Sequence, residues 1–244
     1  MGGPPIRTQA LRLLLATALV LPAPVAPFFP AVHAIAAAAG TSTFNTEQLD
    51  ALLAPIALYP DQLLTQVLMA ATYPLQIVEA ERWLQQSGNS GLHGEALSKA
   101  LEAENWDPSV KSLVPFPQVL AMLDGRLDWT QQLGYAFATQ QADVMNSIQR
   151  LRSQAQQAGK LQSTAQQAVS SDQGSIVIQP ANPAVVYVPA YNPTVVYGTW
   201  PYPAVPPVYI PPPPGYVAAN ALVSGLAFAA GVAVVGSLWG WAQP

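Results

Sequence analysis

Apolar positions recur three and four apart from Leu49 to about Ala158, and then give way to short β-branched runs. The first spacing predicts helices with one buried stripe, the second predicts strands or extended segments. The clearest helical signal is a repeated phrase. Ala57 to Leu64, ALYPDQLL, returns 14 residues later as Ala71 to Val78, ATYPLQIV. Proline suits a first helical turn, because the N–H it lacks would be unpaired there. The residue before proline is pushed out of the helical region, so Tyr59 and Tyr73 should each close one helix and open the next. Leu63, Leu64, Val67 and Leu68 then form one stripe, and Ile77, Ala80 and Leu84 the next.

The pattern extends on both sides. Asn45 or Thr46 can cap a first helix carrying Leu49, Leu52, Leu53 and Ile56. Ser87 to Gly91 reads as a loop, Gly94 to Glu104 as a helix, and Asp107-Pro108 and Phe116-Pro117 as two more helix starts. From Asp128 to Ala158, Phe137, Val144, Leu151 and Ala158 lie seven apart, with Gln141, Ile148 and Ala155 between them. This resembles a heptad seam weakened by glutamine and alanine, and packing on the Tyr-Pro helices is expected ahead of dimerisation. Gly159 should end it, with a frayed helix over 160–170.

The second half has a different rhythm. Asn182-Pro-Ala-Val-Val-Tyr187 and Asn192-Pro-Thr-Val-Val-Tyr197 repeat at a period of 10 and read as short strands leaning on the helices. Thr199 to Pro214 is dominated by proline and tyrosine. It predicts a semi-rigid polyproline II spacer, with a docking peptide as the alternative. Val217 to Trp239 follows as 23 uncharged residues. As a helix it could cross a bilayer, although its apolar residues sum to only roughly −5 kcal/mol of insertion energy. Ala221, Gly225, Ala229, Ala233 and Ser237 lie four apart, a candidate helix-packing stripe through which the segment could self-associate.

The expected architecture is mainly α. A compact antiparallel helical domain (44–172) is followed by a strand repeat (173–198), a Pro/Tyr-rich spacer (199–216) and a C-terminal apolar helix (217–241). Ahead of it, Arg7 and Arg12, the apolar run Leu11 to Leu21 and the small residues around Ala34 read as a signal peptide over 1–34, with a disordered linker over 35–43.

Charge sharpens this division. Asp172 is the last ionisable Asp, Glu, Lys or Arg, so the final 72 residues carry none. The net charge is −4 with no basic cluster, which argues against a nucleic-acid partner. The absence of cysteine removes disulfides, thiolate metal sites and cysteine nucleophiles. His93 is the one histidine beyond the signal region and sits in a Ser/Gly loop, so no metal site or cofactor is expected. Glu79 with Glu81, and Glu102 with Glu104, are two apart on helices and do not face each other, so no catalytic residues are assigned.

With those residues read, the chain resembles the bacterial "domain of unknown function 3300" family (DUF3300). The likeness rests on LLAPIALYPDQLLTQVLMAATYPLQIVEAERWL (52–84), NWDPSVKSLVPFPQVLAML (105–123) and IQPANPAVVYVPAYNPTVVYG (178–198). It implies an exported envelope protein and no known catalytic residues. The family usually carries a Gly-, Asn- or His-rich tail after a Trp-Gly segment, and this sequence stops at Pro244 without one. The expected function is therefore a structural or interaction role in the cell envelope with membrane association. Two alternatives stand beside it: a periplasmic hydrolase of a cell-wall polymer using Asp61 or Glu79, and a soluble binding module whose apolar tail packs internally.

Overall fold

The computed structural model describes residues 1–3, 43–212, 226–228 and 232–233. The expected signal peptide and linker, apart from 1–3 and 43, lie outside the described residues, as does most of 217–241.

Eight helices come first. They are α1 (Thr46–Leu53), α2 (Asp61–Ala70), α3 (Pro74–Leu84), α4 (Gly94–Glu102), α5 (Pro108–Leu113), α6 (Pro117–Asp124), α7 (Leu127–Thr139) and α8 (Gln141–Gln157). Local chemistry sets their starts. Asn45 closes a capping box on α1, exchanging bonds with Gln48. Asp107 accepts from the Ser109 N–H and puts Pro108 in the first turn of α5. Tyr73 and Phe116 hold non-helical backbone, with Pro74 and Pro117 beginning α3 and α6. Pro60 differs slightly: it is the cap residue, and α2 begins one residue later at Asp61.

The helices share one core. α2 packs on α5 and α7, α1 on α8 and α7, and α3 on α6. Leu53, Ile56, Leu58, Leu63, Leu113 and Leu120 are among its fully buried side chains. At about 1.5–3 kcal/mol for each buried side chain of this size, these six alone outweigh any surface ion pair. Residues 54–60 between α1 and α2 are an irregular turn, yet all of them are buried. Buried backbone outside a helix or strand needs hydrogen-bond partners from elsewhere, and this demand organises the remaining fold.

The long periodic segment is two helices. Gln140 leaves the helical region at φ −137°, and its side-chain amide bonds both the N–H (2.7 Å) and C=O (3.0 Å) of Phe44. Val144, Ile148, Leu151 and Ala155 face inward on α8, against α1 rather than the Tyr-Pro helices. Gly159, at φ +70°, ends α8 as expected, with the Lys160 N–H reaching back to the Ala155 carbonyl.

Beyond Gly159 the expected frayed helix is replaced by a hairpin of β1 (Gln167–Asp172) and β2 (Ser175–Pro180). Gln173 and Gly174 both have positive φ, the two-residue turn that matches strand twist. The side chain of Gln149 on α8 bonds both the N–H and C=O of Ile176 and fastens β2 to the helices.

The two Asn-Pro repeats diverge. Asn182 and Asn192 each accept from the N–H two residues on. The first leads into β3 (Val185–Val186) and β4 (Pro189–Ala190), the second into a single helical turn, α9 (Pro193–Val196), rather than a strand. Both lean on the helices, burying Val186, Val188, Tyr191, Val196 and Tyr197 in the common core.

The expected spacer is a strap instead. The Val208 N–H donates to the Ala51 carbonyl of α1 at 3.0 Å, and Trp200 Nε1 donates to the Val205 carbonyl. Trp200, Val208 and Ile210 pack against the core. Val205, Val208 and Ile210 are half-buried along this strap, while Pro201, Pro203, Pro206 and Pro211 stay exposed.

Within 217–241, the described residues are extended where a helix is expected. β5 (Ala227–Phe228) pairs antiparallel with β4, and β6 (Val232–Ala233) with β3. The Phe228 ring meets the edge of Tyr187 at 6.4 Å. Of the small-residue stripe, Ala233 stands in β6 opposite Val185. Ala221, Gly225, Ala229 and Ser237 lie outside the described residues. Among the described residues, no helix is long and apolar enough to cross a membrane.

Candidate functional site

The densest polar cluster surrounds the 54–60 turn. Arg152 on α8 is 2% exposed, and its guanidinium is fully committed. Nε donates to the Ala57 carbonyl (2.8 Å), Nη2 to that of Tyr59 (3.1 Å) and Nη1 to that of Ile176 (2.8 Å). Nη1 also pairs with Asp61 Oδ1 at 2.6 Å. The other side of the turn is closed by tyrosines. Tyr191 Oη accepts from the Leu58 N–H at 3.2 Å, and the Tyr197 hydroxyl donates to the Ala54 carbonyl at 2.7 Å. Burial pushes both phenols well above their ordinary range, so they stay neutral hydrogen-bonding groups.

A second buried charge lies beside it. Asp50 on α1 is fully buried and is held by Ser147 Oγ, by Arg150 Nη2 (2.7 Å) and by the Tyr202 hydroxyl (3.3 Å). α1, α8 and the strap thus meet on one carboxylate. The groups of this hub resemble catalytic parts by type, but Asp50, Arg152 and the two buried tyrosines are bonded to backbone or to other side chains, while Asp61 and Arg150 reach solvent.

The residues singled out from sequence do not assemble into an acid/base pair. Asp61 faces Arg152, while Glu79 Oε2 accepts from Trp106 Nε1 at 3.2 Å. Glu81 is buried on α3. Its Oε1 accepts from Gln85 at 3.0 Å and its Oε2 has no partner. Burial raises its carboxyl above the ordinary 4.5; Gln85 opposes the shift and Asp124 adds to it. His93 is exposed ahead of α4 and caps nothing with its side chain. Among the described residues, no three of His, Cys, Asp or Glu are grouped to hold a metal ion.

Sequence reasoning overlooked Arg152, although a signal existed. It lies four residues after Ile148 and three before Ala155, on the inward stripe of an otherwise glutamine-rich helix.

Among the described residues, two kinds of hollow stand out. A small apolar cavity of about 50 Å³ sits between the turn, α6, β4 and the strap, lined by Tyr59, Met122, Pro189, Tyr191 and Ile210. It has room for water but not for a ligand of ordinary size. The other is a trough along the outer face of α7. Its widest part, about 700 Å³, lies between α1, the α6–α7 corner and the strap. Adjoining hollows of about 460 and 340 Å³ extend it past Tyr135 to the corner before Pro74. Each of the three volumes falls within the ~300–1,000 Å³ range of ligand clefts.

Comparison with known proteins agrees with the motifs. The model of a protein family of unknown function, DUF3300, matches residues 45–243. The chain is also similar to the uncharacterized protein YacH of Escherichia coli (strain K12), at 40% identity over an alignment of 271 positions. That alignment covers 96% of this chain and 42% of YacH, so the chain spans less than half the length of that relative. No solved structure matches the chain significantly.

Proposed function

The chain belongs to the DUF3300 family of unknown function, and since that membership assigns no activity, we propose from the fold an exported cell-envelope protein that acts by binding rather than by catalysis. The observation that carries this reading is the fate of the buried polar groups. Arg152 and the two buried tyrosines are consumed in holding the 54–60 turn, and Asp50 in joining α1, α8 and the strap. Open, unspent polar surface remains along α7 instead. Export rests on the signal-like start of the sequence. A hydrolase using Asp61 or Glu79 loses support, because each carboxylate is engaged by a neighbouring side chain.

The apolar segment 217–241 has two roles to choose between. Pairing of 227–228 and 232–233 with β4 and β3 favours a tail that docks on its own domain. The charge-free run of 23 residues favours membrane association. Fractionation of the full chain beside a chain ending at Pro214 tests both. The docked tail predicts that both forms appear in the periplasmic fraction, soluble and monomeric. Sedimentation of the full chain alone with membranes contradicts docking and leaves the membrane role. Retention of both in the cytoplasm contradicts export.

A further inference from the structure

We propose that the trough along α7 binds a neutral, hydroxyl-rich chain, a short stretch of envelope glycan. This deepens the binding role above and rests on it for the source of the ligand. The three hollows adjoin along one helix face, since the first two share Phe44, Asp128 and Gln132, and the last two share Gln131 and Tyr135. Their floor runs from residue 127 to 138 of α7, roughly 17 Å of helix, long enough for an oligomer rather than a single small molecule.

The chemistry of the walls selects the ligand. Asp124, Arg126, Asp128, Gln131 and Gln132 line the trough, and none of their side chains makes a hydrogen bond or ion pair among the described residues. The contrast is with the hub, where the polar atoms of Asp50 and Arg152 are all spent. Carboxylates only accept, a guanidinium only donates, and amides do both. A hydroxyl-rich ligand matches that mixture, because each hydroxyl donates and accepts. Two carboxylates against one guanidinium disfavour a polyanion. Phe44 and Tyr135 meet edge to face at 6.2 Å, and Tyr135 is 39% exposed, which offers a ring surface for the C–H face of a sugar. At the strap end Leu52, Val205 and Val208 supply an apolar wall suited to the methyl of an acetamido group. A proline-rich peptide would use the aromatic pair and offer carbonyls to Arg126, Gln131 and Gln132, but without N–H groups it would leave Asp124 and Asp128 without a donor.

Titration of the full chain with chitotetraose, followed by tryptophan fluorescence and calorimetry, tests the assignment. Saturable binding is expected, weakened about tenfold by Tyr135→Ala and by Gln131→Ala; Gln131→Ala should leave Tm unchanged, because its side chain is exposed, whereas Tyr135→Ala also loses the ring contact with Phe44. Absence of saturable binding to both chitotetraose and cellotetraose overturns the proposal. So does binding that both variants leave intact, or binding of an oligoproline peptide in place of the glycans. None of these outcomes bears on where the protein fractionates, so the export reading and the ligand assignment fail separately.

Discussion

Replacing Gly134 with alanine is expected to destabilise the protein by about 3 kcal/mol or more, the upper part of the range for overpacking. Helix propensity alone argues the reverse, since alanine is favoured over glycine by about 1 kcal/mol inside a helix. Packing decides the sign. Gly134 lies in α7 where that helix crosses the end of α2, and a Cβ there would stand 2.1 Å from the Ala71 carbonyl oxygen and 2.5 Å from its carbon. Both are backbone atoms, so no side chain can swing away. Relief requires the two helices to part, which opens the contact beneath Ala70 and Leu133. Urea unfolding of Gly134→Ala beside Gly88→Ala measures this, because a Cβ at Gly88 meets nothing within 4 Å. Equal stability in the two variants would mean that the α2–α7 crossing is looser than described.

Arg152→Met should cost about 3–5 kcal/mol, the usual loss when one member of a buried polar network is removed. The ion pair is the smaller part. Asp61 is 40% exposed on its side chain, and a pair that open to solvent is worth no more than about 1 kcal/mol. The larger part is the buried carbonyls: those of Ala57 and Tyr59 lose their side-chain donor together, while that of Ile176 keeps only Gln149. Asp61→Asn should therefore cost less than about 1 kcal/mol, and Arg152→Lys should recover only part of the loss. An ammonium cannot span three acceptors that a planar fork reaches at once. Chemical denaturation of the three variants checks the order. An Asp61→Asn variant as damaged as Arg152→Met would show that charge pairing, not backbone satisfaction, dominates the hub.

Local signals in the sequence located most helices. Pro74, Pro108 and Pro117 open α3, α5 and α6, and Asn45 caps α1, because capping and proline geometry act over three or four residues. The features that were not legible depend on partners far along the chain. Gln140 breaks a periodic helix because its amide finds Phe44, 96 residues away. Residues 167–172 are rich in glutamine, alanine and serine, and become a strand through pairing with β2, which Gln149 and Arg152 hold against the helices. Asn182-Pro and Asn192-Pro begin with the same local turn, yet only the first continues into strands, where β5 and β6 supply the pairing. The proline tract resembled a spacer because composition reports stiffness and not what a stiff segment lies against. The trough had the same weakness, since Phe44, Gln131 and Val205 join only once the strap has folded over α1.

The central claim is that the uncharged rear of the chain completes the helical domain, with its tyrosines and strap serving the buried turn and α1. Native-state hydrogen exchange of two amides tests it most directly. The Leu58 N–H is given to Tyr191 Oη and the Val208 N–H to the Ala51 carbonyl. Both should exchange at least about tenfold more slowly than an unstructured amide, with Leu58 approaching the slow rates of core helix α8. Free exchange at Val208 and Leu58, beside a protected α8, would return residues 199–212 to a solvated spacer and leave the turn without its clasp.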